Sequence, residues 1–594
     1  MKLQKLFTLL TIAFLSVATL VLSILLYARY LYPEADYTQI ILTIYNLTPD
    51  IIQESIYPTD YVYALLFFII IWPLCYLYLS TKKQFYIATI MSLLAIYFLG
   101  WPEYFILSHT TSTLYEEHYV APSKKISAPE QKRNLILIYL ESFEQNYAKS
   151  EHYGTNLISQ LHKLQTTDNH SLDYRALNST NYSIGALVAS HCGIPLVFTQ
   201  ERDMYVNTFF LPEATCFPEI LKANGYQTRI LKAADIHFTN ADNFAKNHGY
   251  EIAWGKDQIL AQYPEFQAKK YQGTFGGLTD RALYEVAQKE LATFSPDRPF
   301  LLTLFSLDTH TPSSHIDPSC ARQYKDLRDA YICADAAVDE FIAWLKTSPY
   351  WQNTTVIIVG DHLLPSKFKA KGRPKRSIFN VFLNLPENLK LTTSKTFTAL
   401  DIPASILESL NFKLEDHAFG LGRSIFANTP PLIDTMGNKL NKRLMQHSEI
   451  YDRLSNPPTK HVATYTPYTL NTILDNKACT QYTDITENII NLYYLDRLNF
   501  VLEDLPTNAK TLKMRLKFNT IFSRTGALSI FANGTNLLQY RPQKGTQSPY
   551  YLEIDIPIAL ISDNKLQLKF HNNSNTRNII SLGIAPLAIS ISTK

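Results

Sequence analysis

Three short polar clusters carry the residue types of a metal site: Glu141-Ser142-Phe143, Asp308-Thr309-His310 and Asp361-His362. Carboxylates and an imidazole converging on one point suit a hard to borderline divalent cation. A second kind of chemistry lies in the segment 178–195, where Ser183 stands at the lip of the helical pattern Ile184-Gly185-Ala186-Leu187. A hydroxyl at a helix N-terminus and beside a cation is more easily deprotonated, and the same helix end favours an incoming phosphate. Each residue also has a plainer role open to it: Glu141 and Asp361 as helix caps, His310 as a loop histidine, Ser183 as an N-cap. Three clusters ending three similar runs weigh against that role for all of them.

Those runs are the elements that must position the clusters. Asn134–Leu140, 299–306 and Thr354–Gly360 are apolar on both faces, as central strands of a parallel sheet are, and each leads straight into one of the clusters. In open α/β sheets reactive groups collect beyond the carboxyl ends of the strands. Helical patterns such as 327–345 alternate with the runs, so an α/β domain is expected over about 134–430.

The first hundred residues read as a membrane region, 1–103. Runs at about 6–27, 61–80 and 85–100 approach the ~20 apolar residues of a spanning helix. Lys2, Lys5, Lys82 and Lys83 flank one side, while Glu34, Asp36, Asp50, Glu54 and Asp60 fill the loop opposite. The positive-inside bias then puts the N-terminus in the cytoplasm and everything past the third span outside, with 104–133 a periplasmic connector. Cys192 and Cys216, then Cys320 and Cys333, form two close-spaced pairs that suit disulfides in an oxidising compartment, although spacing alone does not settle connectivity. After a linker region, 431–495, the segment 496–594 holds short runs with alternation and turn signals such as Asn533-Gly534, expected as a β-sandwich. A net charge of +3 with 18% charged residues excludes the concentrated basic footprint of a nucleic-acid binder.

The run Tyr182-Ser183-Ile184-Gly185-Ala186-Leu187 through Leu196, taken with 134–145, Leu307-Asp308-Thr309-His310-Thr311-Pro312 and Gly360-Asp361-His362, resembles the phosphoglycerol transferase I family. These enzymes modify osmoregulated periplasmic glucans and are related to lipoteichoic acid synthases. The resemblance implies an alkaline-phosphatase/sulfatase-like sandwich. It implies Glu141, Ser183, Asp361 and His362 as metal ligands, with Mn²⁺ preferred and Zn²⁺ or Mg²⁺ as alternatives. Ser183 takes the place of the nucleophile, usually Thr in the family, with Thr180 as competitor. His310 is the implied partner of the substrate phosphate or leaving group, and Asp308 and His237 are implied substrate contacts. His237 stands where relatives have an arginine. The implied reaction moves phosphoglycerol from phosphatidylglycerol in the inner membrane to a glucan, glycan or glycoprotein, with phosphoethanolamine transfer to lipid A or protein as the alternative. A sulfatase would need a C/S-x-P-x-R motif, which Ser183 lacks.

Overall fold

The computed structural model describes residues 2–31, 81–98 and, with short breaks of which 198–210 is the longest, 109–455; past 455 it describes strands between 483 and 592. The chain divides into two compact units, Met1–Ser455 and Asn456–Lys594.

In the first unit, α1 (Lys2–Leu31) and α2 (Thr81–Phe98) cover most of the first and third expected spans. Leu15 and Ala18 of α1 meet Ala88 of α2, and Leu22 and Leu25 meet Ala95, the small side chains letting the backbones approach. Among the described residues no helix is long and apolar enough to cross a membrane. The second expected span, 61–80, lies outside the described residues.

Among the described residues of the first unit, the main sheet has six strands. In chain order they are β1 (Asn134–Leu140), β2 (Gln227–Lys232), β3 (Ile252–Trp254), β4 (Phe300–Phe305), β5 (Thr354–Gly360) and β6 (Asn380–Leu383), arranged β3-β2-β4-β1-β5-β6. All neighbours pair in parallel except β5 and β6. The three runs expected as strands are therefore the three central ones. Alternate β1 residues serve two cores: Leu135, Leu137 and Tyr139 pack with α3 (Ser183–Cys192), whereas Ile136, Ile138 and Leu140 pack with α4 (Asp280–Leu291) and α5 (Leu327–Thr347). Burial on both faces is why these strands are apolar throughout rather than alternating.

The core continues past residue 430 into the segment expected as linker. Leu432, Leu440, Leu444, Tyr451 and Leu454 are buried in it, on three short helices ending at Ser455. From the expected connector, Tyr115 packs edge-on to Tyr451 with ring centroids 5.7 Å apart, and Arg443 pairs with Glu117 at 3.1 Å. Among the described residues, the second unit has nine strands in two antiparallel sheets of five and four. Leu528–Ala532 and Thr535–Tyr540, which flank Asn533-Gly534, pair directly with Ala532 opposite Thr535.

Disulfides join Cys192 to Cys216 and Cys320 to Cys333. The first ties the end of α3 across 24 residues of sequence. Closing a loop of that size restricts the unfolded chain by about 3 kcal/mol. The Cys192→Ala/Cys216→Ala double variant of the detergent-purified chain should lose about that much stability in urea denaturation.

Candidate metal and nucleophile site

β1 and β5 are neighbours, and their carboxyl ends deliver Glu141, Asp361 and His362 to one place. Their ligand atoms all lie within 4.8 Å of one another and all three side chains are buried. His362 Nε2 stands 3.6 Å from Glu141 Oε1, 3.3 Å from Asp361 Oδ2 and 3.4 Å from Ser183 Oγ. The other ring nitrogen, Nδ1, lies 2.9 Å from the Leu363 carbonyl, a contact that fixes the proton on Nδ1 and leaves Nε2 as a lone pair facing the acids.

The chain leaves β1 through a sharp turn that makes this packing work. Ser142 adopts φ 55°, a left-handed conformation costly for a side-chain-bearing residue. In return its N–H donates to Asp361 Oδ1 at 2.8 Å and its hydroxyl donates to Glu141 Oε1 at 2.7 Å. The His362 N–H also donates to Asp361 Oδ1, at 2.8 Å, so one oxygen of that carboxylate is satisfied. The other, Oδ2, is buried without a hydrogen-bond partner. At Gly360 any Cβ would overlap the Phe143 carbonyl oxygen, so only glycine lets the two strand ends come together. Behind the turn, the buried Glu144 accepts from the Leu364 N–H at 3.1 Å and from Arg376 Nε at 3.0 Å, bracing the loop that follows His362.

Burial, with Glu141 beside it, pushes the Asp361 carboxyl up to about 7. At His362 burial works against the charged form, but Asp361 and Glu141 outweigh it and the imidazole is held above its ordinary value. Two buried carboxylates and a lone pair facing each other call for a cation. The orphaned Asp361 Oδ2, the inward-facing His362 Nε2 and the oxygen-rich donor set fit a divalent metal held by Glu141, Asp361, His362 and Ser183.

Ser183 is the first residue of α3. Tyr182 precedes it as the N-cap, and no side chain caps the helix, so Ser183 is not spent as a cap. Its hydroxyl faces His362 Nε2 at 3.4 Å and stands close enough to Asp361 to favour the ionised carboxylate. Asn181 Oδ1 accepts from the Leu363 N–H at 3.0 Å, tying the segment that leads into Ser183 to the loop that follows His362. Thr180 is placed differently: its hydroxyl donates to the Leu177 carbonyl at 3.1 Å and accepts from the Leu177 N–H at 3.3 Å, closing a buried turn.

The expected substrate residues separate. His310 lies close enough to the cluster to feel it: burial, then the His362 charge, lowers its imidazole to about 4, and its Nδ1 is buried without a partner. Phe275 meets its ring edge-on with centroids 4.9 Å apart. Asp308 binds the start of α4, accepting from the Asp280 N–H at 2.8 Å, while Asp280 Oδ1 accepts from the Leu307 and Asp308 N–H groups at 2.7 and 3.1 Å. His237 is 61% exposed and pairs with Asp242 at 3.1 Å. Ser142, Asn181 and Glu144 were not singled out from the sequence. Only their adjacency to Glu141 and Ser183 marked them.

Residues 133–407 match the model of the Sulfatase family. Over 323 residues the chain is 31% identical to phosphoglycerol transferase I of Salmonella paratyphi B and of Salmonella typhimurium, covering 52% of this chain and 40% of each relative. The chain thus spans about two-fifths of the length of those relatives. Solved structures similar to it include the lipoteichoic acid synthase LtaP from Listeria monocytogenes (20% identity, 51% of this chain and 79% of that one, TM-score 0.41). A Streptococcus pyogenes phosphoglycerol transferase, GacH, in complex with sn-glycerol-1-phosphate, is another (12% identity, 58% and 90%, TM-score 0.36).

Because the Asp361 carboxyl is raised, its contribution to the stability of the metal-free protein is complete below its ordinary value near 4 and is lost as pH rises through about 7. Metal binding needs the deprotonated carboxylate and strengthens over the same window. The thermal upshift caused by Mn²⁺ or Zn²⁺ should therefore grow between about pH 5 and pH 8. Asp361→Asn should abolish that upshift while its metal-free form melts no lower than wild type.

Proposed function

We propose that this chain is a membrane-anchored phosphoglycerol transferase that works by a covalent intermediate on Ser183. The observation that carries the reading is the placement of an uncapped helix-terminal hydroxyl, Ser183, 3.4 Å from His362 Nε2 in a buried cluster of metal-ligand type. The relatives named phosphoglycerol transferase I supply the group transferred.

A divalent ion bound by Glu141, Ser183, Asp361 and His362 would lower the pKa of the serine hydroxyl and offset negative charge at phosphorus. Ser183 Oγ attacks the phosphorus of a phosphatidylglycerol headgroup at the outer leaflet, the bond to the diacylglycerol oxygen breaks, and a phosphoglycerol ester forms on the serine. The serine proton ends on the departing diacylglycerol oxygen. His310, neutral and with an unpartnered ring nitrogen, is the proposed carrier. In the second step an acceptor hydroxyl displaces the phosphoglycerol, and its proton returns to Ser183. Helix α3 presents its N-terminus to the phosphate throughout. A glucan, glycan or glycoprotein fits as acceptor, and Mn²⁺ is the preferred ion. The apolar runs at 6–27, 61–80 and 85–100 and their charge asymmetry support an inner-membrane anchor with the domain in the periplasm.

Ser183→Ala should abolish release of diacylglycerol from headgroup-labelled phosphatidylglycerol in membranes, with the protein still folded. Thr180→Ala should cost stability but leave turnover measurable, because its hydroxyl only closes a turn. Full activity in Ser183→Ala would end this reading.

A further inference from the structure

Lys232 is the last residue of β2, and nothing in the site so far uses it. In the sheet register it lies beside Phe305, which lies beside Tyr139. Residues paired across parallel strands project to the same face. That face is the one α3 covers: the Tyr139 and Phe305 rings stack at 5.0 Å, and the Tyr139 hydroxyl is 2.5 Å from Ser190 Oγ on α3. Lys232 therefore sits at the carboxyl edge of the sheet, in the same row and under the same helix whose first residue is Ser183.

Its surroundings are unusual for an ammonium group. The residue is 7% exposed, and its side chain makes no ion pair and no hydrogen bond with the described residues. Nζ stands 5.8 Å from the ring centroids of both Phe305, which is buried, and Phe238, which is 41% exposed. The ammonium thus lies between an inner aromatic wall and an outer one at the surface. Burial pushes it down to about 8, and the negative charges that hold it up are Glu141, Asp235 and Asp361, two of them metal-ligand candidates. A buried cation with no partner costs stability and persists where something else needs it.

We propose that Lys232 is a phosphate-binding residue of this site, its ammonium taking non-bridging oxygens of the phosphodiester donor while Ser183 attacks. The proposal rests on the phosphotransferase reading above, and charge counting supports it. Two carboxylates and a divalent ion sum to zero, so the charge of a phosphodiester, which grows as the serine oxygen adds, has no counter-charge from the ligand cluster itself. His237, expected as a substrate contact where relatives have an arginine, is exposed and paired with Asp242, and Lys232 fills that need.

The test uses the full chain in detergent, with inorganic phosphate as the probe in the presence and absence of Mn²⁺. Wild type should show a phosphate-dependent thermal upshift. Lys232→Met should lose it, keep the Mn²⁺ upshift, and melt at or above wild type without ligand, since a buried unpaired charge is gone. Its kcat/KM for phosphatidylglycerol should fall by about 100-fold. Lys232→Gln, polar but uncharged, should lose the phosphate response in the same way, and Lys232→Arg should keep part of it. A phosphate upshift undiminished in Lys232→Met would overturn the proposal. So would a lower metal-free melting point joined to loss of the Mn²⁺ upshift, which would make Lys232 a structural residue. If wild type transfers no phosphoglycerol yet its phosphate upshift depends on Lys232, the donor assignment fails and the phosphate site stands.

Discussion

The structure turns on the mutual repulsion of Glu141 and Asp361, two carboxylates brought within 4.8 Å of each other in a buried place. Burial disfavours a charged carboxylate there and Glu141 alongside adds to that, so Asp361 is pushed up to about 7. The compensation is partly local. Two backbone N–H groups serve Asp361 Oδ1 and the Ser142 hydroxyl serves Glu141, but Asp361 Oδ2 is left without a hydrogen-bond partner. What remains is a deficit of positive charge, which a bound cation would meet and which, on the phosphate side, Lys232 is proposed to meet.

Much of the surrounding fold holds that repulsive arrangement together. The left-handed Ser142, the Gly360 contact with Phe143 and the Glu144–Arg376 brace are local costs or constraints repaid by neighbouring hydrogen bonds and by the two cores on either face of β1. Tyr331 joins the same structure from α5, donating to the Ser142 carbonyl at 3.0 Å. The loop that follows His362 and the segment leading into α3 are also tied by Asn181, so the Ser183 hydroxyl and the acidic cluster are positioned as one unit.

The central strands and the ligand cluster were legible because both leave strong marks in sequence. Strands buried on two faces must be apolar throughout, and polar residues following them directly stand out. The outer strands were not legible. Gln227-Thr228-Arg229-Ile230-Leu231-Lys232 mixes charges with apolar residues, Ile252–Trp254 has three residues, and β6 has four. The helices after residue 430 were read as linker because their few apolar side chains show their role only when packed against Tyr115 and the main core. Composition could not show that Lys232 is buried, since a lysine ending a strand is ordinarily in water. Asp308 shows the converse: it ends a central strand as the other candidates do, yet binds the start of α4.

The account stands or falls on whether one divalent ion occupies the Glu141–Asp361–His362 cluster with Ser183 against it. Anomalous scattering at the manganese edge from crystals of the chain grown with Mn²⁺ reads this directly. The account predicts a single strong peak about 2 to 2.5 Å from a ligand atom of each of the four side chains. No peak among these residues, or one held by Asp280 and Asp308 instead, would contradict it.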